Sequence, residues 1–460
     1  MRAEEPSAGM RAGPPTNATE HQGWTQRAAA GADMGSGVRA RYRAGMTLRS
    51  LDVAAVRRRF PGLDRRGERR TAVFFDGPAG SQVPTAVADA LRDYLLHGNA
   101  NHGGMFATSR ATDAMVDAAR AAFADFVGAG DPEEIVFGQN MTTLAFHLAR
   151  QLARTWRPGE EVVVTDSDHD ANVMPWVLAA RDAGCRVQHI AVRPDASLDL
   201  HDAERKIGPK TRLVAVGAAS NLSGTIQPVA RIAELARKQG ALTFVDAVHY
   251  APHLPIDVQR LGCDFLACSA YKFFGPHLGV LWGRRALLEE IAADKVRPSS
   301  DHGAEKWQTG TANFEGIAGA FAAVDYLQQL GHELGGPPER RPALLAAFAA
   351  IEAHERALGG ELLRGLATLP DVRVVGIADP ARVRERCPTV SFTSTRLRPA
   401  VIAQKLAEQH VYCWSGNSYA LALTTALGLE PDGVLRLGLL HYNTPEEVAY
   451  VVECLRGMLG

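Results

Sequence analysis

From about position 46 onward the chain alternates between two hydrophobic patterns. Short apolar, β-branched runs recur at Ile135–Phe137, Val162–Thr165, Val187–Val192, Leu213–Val216, Leu242–Val245, Phe265–Cys268 and Val280–Trp282. Each is the length of one strand, and their near-continuous apolar character suits strands buried on both faces. Helix-compatible stretches separate most of them. Ala230–Gln239, for example, is followed by Gly240, the residue type that most readily ends a helix. Strand and helix in alternation predict an α/β fold whose large domain holds a mainly parallel seven-stranded sheet, one strand per run, with helices on both faces. Gly, Pro and charge cluster at Gly331–Pro338 and break the pattern. Beyond them a long helical stretch, Pro342–Leu369, precedes short strands near Val372–Val375, Thr389–Phe392 and Val434–Leu437, which predicts a small C-terminal α+β domain.

Length and composition extend this picture. At 460 residues the chain exceeds what one compact core serves well. Residues 1–45 are rich in Ala, Gly and Arg and lack hydrophobic periodicity, which predicts a disordered leader. Met46 is then a candidate translation start. The expected organisation is a leader at 1–45, an N-terminal arm at 46–75, a large domain at 76–330 and a small domain at 331–460. The 50 basic and 51 acidic residues nearly cancel, which argues against an electrostatic footprint for nucleic acid or an anionic membrane. No apolar run is long enough to cross a bilayer, and the N-terminus lacks the apolar core of a secretory signal. The cysteines (Cys185, Cys263, Cys268, Cys387, Cys413, Cys454) are scattered, with no CxxC pair and no zinc-like spacing with His. Reduced thiols in the cytoplasm and no bound metal are expected.

Four features fall at the carboxyl ends of predicted strands, where open α/β sheets bind ligands. Leu242–Asp246 is an apolar run ending in a carboxylate, which alone reads most often as a helix or turn cap. In Asp264–Lys272 a strand leads through Ser269 to a lysine followed by two aromatics and Gly275-Pro276. Desolvation there would favour the free amine that Schiff-base chemistry needs, whereas a snorkelling surface lysine is the alternative. Gly138–Thr143 is a polar turn entering a helix, suited to a phosphate or to a plain N-cap. Asp168–Asn172 places His169 after a strand, either flat on an aromatic cofactor or in a local hydrogen bond.

In this order the motifs Asp168-His169, Ser220-Asn221, Val245-Asp246, Ser269-Ala-Tyr-Lys272, and Arg436 with Tyr442-Asn-Thr444 resemble the class V aminotransferases. These are fold-type I pyridoxal-phosphate enzymes, and the pattern looks closest to their cysteine desulfurase and selenocysteine lyase branch. The resemblance runs from about Phe75 to the C-terminus. It implies pyridoxal 5′-phosphate as cofactor, with Lys272 as its Schiff-base lysine and as the Cα proton shuttle. Asp246 would pair with the pyridine nitrogen, His169 would stack on the ring, and Asn221 would lie near the ring hydroxyl. Met141, Thr142, His249, Ser269 and Tyr271 would line the cofactor. Gly310 and Thr311 would reach the phosphate of a neighbouring subunit, which implies a homodimer. Arg436 would hold the α-carboxylate of a small amino-acid substrate in a two-pronged contact. His102, Asn417 and Tyr419 would face that substrate.

The sequence also departs from the family pattern. Aligned on Ser415-Gly416, the position of the desulfurase nucleophilic cysteine is Tyr419, and a phenol cannot accept sulfur as a thiolate does. Cys413 lies six residues earlier in a strand-like run and reads as a packed thiol. His249 stands for a glutamine and Tyr271 for a histidine, and Asn101–Phe106 replaces a more charged stretch at the substrate entrance. The expected activity is a desulfurase-like lyase: Cα proton abstraction followed by loss of a Cβ group, of C–S lyase type. A class V aminotransferase, an amino-acid epimerase and a catalytically silent scaffold of the same fold stay open.

Overall fold

The structure, a computed structural model, describes residues 49–65 and 71–459. The expected leader and the candidate start at Met46 lie outside them. Residues from Arg49 onward form one compact unit. Its thirteen strands, β1 (Val73–Phe74), β2 (Ile135–Gly138), β3 (Glu161–Thr165), β4 (Arg186–Ile190), β5 (Thr211–Gly217), β6 (Leu242–Asp246), β7 (Phe265–Ser269), β8 (Gly279–Gly283), β9 (Val372–Val375), β10 (Thr389–Ser394), β11 (Val411–Tyr412), β12 (Trp414–Gly416) and β13 (Val434–Gly438), build three sheets.

The main sheet has seven strands in the order β2-β8-β7-β6-β5-β3-β4. All pairings are parallel except those of β8, which runs against both β2 and β7. The seven apolar runs of the sequence are these seven strands. They are uninterrupted because both faces are buried: Val163, Val214, Val245 and Leu266 pack into one core, while Val162, Leu213, Phe244 and Phe265 pack into the core on the other side. Helices Met141–Ala153 and Met174–Asp182 cover the second face, and Ala107–Val127, Val229–Lys238 and Phe314–Glu333 cover the first.

The predicted break at Gly331–Pro338 spans the last turn of helix Phe314–Glu333 and most of the short link, residues 334–339, to helix Arg340–Ala367. The second of these packs Leu358, Leu362 and Leu366 against Val390, Phe392, Leu435 and Leu437. Those residues belong to the antiparallel sheet β12-β13-β10-β9. The strand-like run at Val411–Trp414 resolves into two pieces. β11 pairs with β1 in a sheet of its own, and β12 joins the antiparallel sheet.

Candidate active site

The carboxyl ends of the parallel strands converge on one cavity of about 950 Å³. The antiparallel step from β7 to β8 fixes the lysine. The connection must reverse the chain, and it does so through a tight 3₁₀ turn, Ala270–Lys272, followed by Phe274 in the left-handed region at φ 72°. A fully buried Phe pays for such a backbone only where its surroundings dictate it. Here the Phe274 N–H donates to Ser81 Oγ at 2.8 Å, and the Tyr271 carbonyl accepts from Ser81 N–H at 3.0 Å.

Lys272 is 8% exposed. Its amine donates to the Pro78 carbonyl and lies 4.7 Å from the centre of the Tyr271 ring. Burial, aided by the charge of Arg436, lowers its pKa to about 7, against the pull of Asp246 and Asp76. Tyr271 stacks on His277, with centroids 5.0 Å apart.

Asp246 ends β6 and accepts from Val248 N–H at 2.8 Å. Burial raises its carboxyl to about 6. His169 lies on the turn after β3, where its Nδ1 accepts from Ala171 N–H at 3.0 Å. The imidazole proton therefore sits on Nε2, and burial with the charges of Lys272 and Arg436 lowers its pKa to about 4. The ring is neutral at physiological pH.

Arg436 points inward from the middle of β13 and is 5% exposed. One of its NH groups donates to the Asn221 carbonyl at 2.9 Å, and Nε has no partner. Asn221 Oδ1 and His249 Nε2 are likewise buried without partners. Around the start of helix Met141–Ala153, Ser269 Oγ accepts from Met141 N–H at 3.0 Å and the Asn140 side chain accepts from Thr143 N–H at 2.8 Å. The Thr142 side of this helix start lines the cavity.

The last wall is residues 414–419. Ser418 and Tyr419 both have positive φ, at 51° and 60°. Two bonds hold this strained pair: Asn221 Nδ2 donates to the Ser418 carbonyl at 2.8 Å, and Asp170 N–H donates to the Tyr419 carbonyl at 2.7 Å. The phenol, 73% exposed, stacks on His169 with centroids 5.4 Å apart and planes at 24°.

Met141, Thr142, His169, Asn221, Asp246, His249, Ser269, Tyr271, Lys272, Asn417, Tyr419 and Arg436 thus share one cavity. His102, Gly310 and Thr311 do not line it. His102 is an exposed side chain beside Phe314, at 5.9 Å between centroids, and Gly310 and Thr311 are exposed on a turn just before that residue. Sequence reasoning missed Asp76. Its Oδ1 is buried without a partner, its carboxyl is raised to about 6 by burial, and it exerts its charge on Lys272 and Arg436. It follows a buried strand, as Asp246 does, but β1 is only two residues long and gives little signal. Behind His249, folding also brings ligand-capable atoms of His249, His253 and Cys387 within 4.8 Å of one another, a proximity that sequence spacing did not reveal.

Known proteins resemble this chain in sequence and fold. The aminotransferase class-V family model matches residues 73–451. A probable cysteine desulfurase of Streptomyces coelicolor is 32% identical over 424 residues, covering 88% of this chain and 96% of that protein. An aminotransferase-like protein of Gibberella zeae is 32% identical over 424 residues, covering 90% of this chain and 100% of that protein. The apo structure of the cysteine desulfurase from Thermococcus onnurineus superimposes with a TM-score of 0.79 at 27% identity, covering 90% of this chain and 99% of that one.

Enzymes of this family use pyridoxal phosphate, and the cavity fits it. The fit lies in a buried amine with a lowered pKa, a buried carboxyl in the same cavity, a neutral imidazole, and three buried polar atoms without partners (Asn221 Oδ1, His249 Nε2, Arg436 Nε). With the family model matched from Val73 to Val451 and relatives covered almost end to end, the chain belongs to the class V aminotransferases, as a pyridoxal-phosphate-dependent enzyme of the cysteine desulfurase-like kind.

Proposed function

We propose that this enzyme removes a Cβ substituent from a small α-amino acid, acting as a C–S lyase without a nucleophilic cysteine. Bound in the cavity, pyridoxal phosphate supplies an electron-poor ring that takes up the electrons freed when a bond at Cα breaks. Lys272 would hold the cofactor, and its amine, whose pKa of about 7 suits transfer in either direction, would take the Cα proton. Asp246 would pair with the ring nitrogen, neutral His169 would cover a ring face, and Asn221 and His249 would serve the ring oxygen. Thr142, Met141 and Ser269 would receive the phosphate. Arg436, already desolvated and with Nε free, grips the substrate carboxylate. With cysteine as substrate, cysteine and water become pyruvate, ammonia and hydrogen sulfide, so no outside oxidant or reductant is needed.

The observation that carries this reading is Tyr419. It stands where the resemblance aligns the desulfurase cysteine, and the nearest thiol along the chain is a poor substitute. Burial, together with the charge of Asp76, pushes Cys413 up to about 12, so it holds its proton at neutral pH. The site residues come from two proposed domains, 76–330 and 331–460. A second copy of the chain is proposed to bring Gly310 and Thr311 to the phosphate and His102 to the substrate side. Six free cysteines fit a reducing cytoplasm.

The test is incubation with L-cysteine, a cysteine sulfoxide and L-alanine, with assays for pyruvate, sulfide and pyridoxamine phosphate. Equal yields of pyruvate and sulfide, unaffected by alkylation of Cys413, are expected. A persulfide on Cys413 would overturn the lyase reading. Pyridoxamine phosphate without sulfide release, matched from L-alanine by an equal amount of pyruvate, would make the enzyme an aminotransferase, and an uncoloured, unreactive protein would make it a scaffold.

A further inference from the structure

Asp168 precedes His169 on the turn after β3 and is 3% exposed, yet none of the roles above uses it. It lies in the wall of the cavity. Its Oδ1 accepts from Gly217 N–H at 2.6 Å, and Gly217 is the residue in register with Asp246 across β5 and β6. The contact is close enough that a Cβ on Gly217 would lie 2.4 Å from that oxygen, so only glycine admits it. Asp168 Oδ2 accepts from Asn172 Nδ2 at 3.1 Å, and Asn172 Oδ1 accepts from Trp176 Nε1 at 3.1 Å. An indole nitrogen can only donate, so Trp176 fixes which end of the Asn172 amide faces Asp168. The chain of bonds thus runs one way, from Trp176 through Asn172 to Asp168. Both carboxyl oxygens are used as acceptors, an arrangement that favours the charged form.

We propose that Asp168 is a positioning residue that acts through Asp246, placing a second negative charge behind the carboxylate that pairs with the pyridine nitrogen and so holding that nitrogen's proton. Gly217, which donates to Asp168 and stands in register with Asp246, links the two carboxyls, and the charge of Asp246 acts on Asp168. Burial and the charge of Asp246 push the Asp168 carboxyl up, while Gly217, Thr165 and Asn172 pull it down. A cationic ring nitrogen on Asp246 would offset the second upward push, so cofactor binding shifts Asp168 toward its anion while the upward push of burial remains. Arg436, His249, Tyr271, Lys272 and His169 are ionisable groups in the same cavity. Lys272 is cationic only below a pH of about 7, His169 and His249 are held neutral by burial, and the charge of Arg436 acts on Lys272 and Asp76 rather than on Asp168 or Asp246. The ring nitrogen is therefore the cation placed to benefit at higher pH.

The inference rests on Asp246 as the partner of the ring nitrogen, and the test separates the two claims. Apoprotein is titrated with pyridoxal phosphate and with its analogue carrying carbon in place of the ring nitrogen, following fluorescence quenching. Asp168→Asn is expected to bind pyridoxal phosphate on the order of tenfold more weakly, the effect of one partly screened charge, and the carbon analogue within about twofold of wild type. Equal weakening toward both ligands, or toward neither, would overturn the proposal, since a purely structural residue cannot tell the two rings apart. Asp246→Asn serves as the reference. If it too fails to discriminate, the assignment of Asp246 is wrong; if it discriminates and Asp168→Asn does not, only this inference falls. Should Asp168→Asn not fold, Asn172→Ala removes one donor to Asp168 and is expected to show the same selectivity at about threefold.

Discussion

Lys272 ends in an amine whose reactivity is set by where its stem delivers it. Exposed, it would be protonated until about pH 10. Under burial and beside Arg436 its pKa falls to about 7. Covalent capture of pyridoxal phosphate by apoprotein should therefore rise with pH around a midpoint near 7, because only the free amine attacks the aldehyde. Borohydride fixation followed by peptide mass spectrometry at a series of pH values would measure it, and the adduct should be absent from Lys272→Ala. A midpoint near 10 would contradict the burial argument. Asp246 has the opposite problem. Its carboxyl rises from 3.8 to about 6, so in apoprotein its ionisation opposes folding. That cost is nil below the unfolded pKa, grows as pH climbs through the window from 3.8 to about 6, and is complete above it. Asp246→Asn apoprotein should therefore be more stable than wild type by about 3 kcal/mol at pH 7.5, and close to equal near pH 4. Urea denaturation at the two pH values would decide it.

At the scale of elements, Gly279 at the start of β8 is a sharp test of how the cofactor wall is built. A Cβ there would come within 2.5 Å of the Asn140 backbone, just ahead of helix Met141–Ala153. Gly279→Ala should push that helix start outward. The expected outcome is a loss of about 1–3 kcal/mol in stability from overpacking, with weakened phosphate binding, read by thermal melts and by titration with pyridoxal phosphate. A variant with native affinity would show that the helix start plays no part in binding. Which of these elements could be read in the sequence follows from the same physics. The seven main strands were legible because burial on both faces leaves them nearly all apolar, and Lys272, Asp246 and His169 were legible because each follows such a run. Asp76 and Asp168 were harder to read: one follows a two-residue strand, and the role of the other depends on Gly217, distant in sequence. The Ser418–Tyr419 strain was invisible, since neither residue type favours positive φ and only long-range bonds to Asn221 and Asp170 hold it.

For the whole molecule, the residues expected to act from a partner subunit gather on one face. Leu95, Leu96, Met105 and Phe106 are all exposed there, at 49%, 66%, 87% and 59%. Phe314 ties this surface to the turn bearing Gly310 and Thr311, since its ring lies 6.4 Å from that of Tyr94 and 5.9 Å from that of His102. Exposed apolar side chains in such density mark a surface that is covered in use. If the cover is a second copy, placing a charge in it should do two things together. Leu96→Asp should remain folded, because Leu96 is already two-thirds exposed and contributes little to its own core. It should sediment as a monomer, because an unpaired carboxylate buried in an interface is costly. It should also bind pyridoxal phosphate roughly tenfold more weakly, because the partner's contribution to the phosphate is lost along with the contact. Sedimentation velocity and cofactor titration on one sample link the two effects. A monomer that keeps full affinity would mean that the phosphate is held within a single chain and that Gly310 and Thr311 have no part in it.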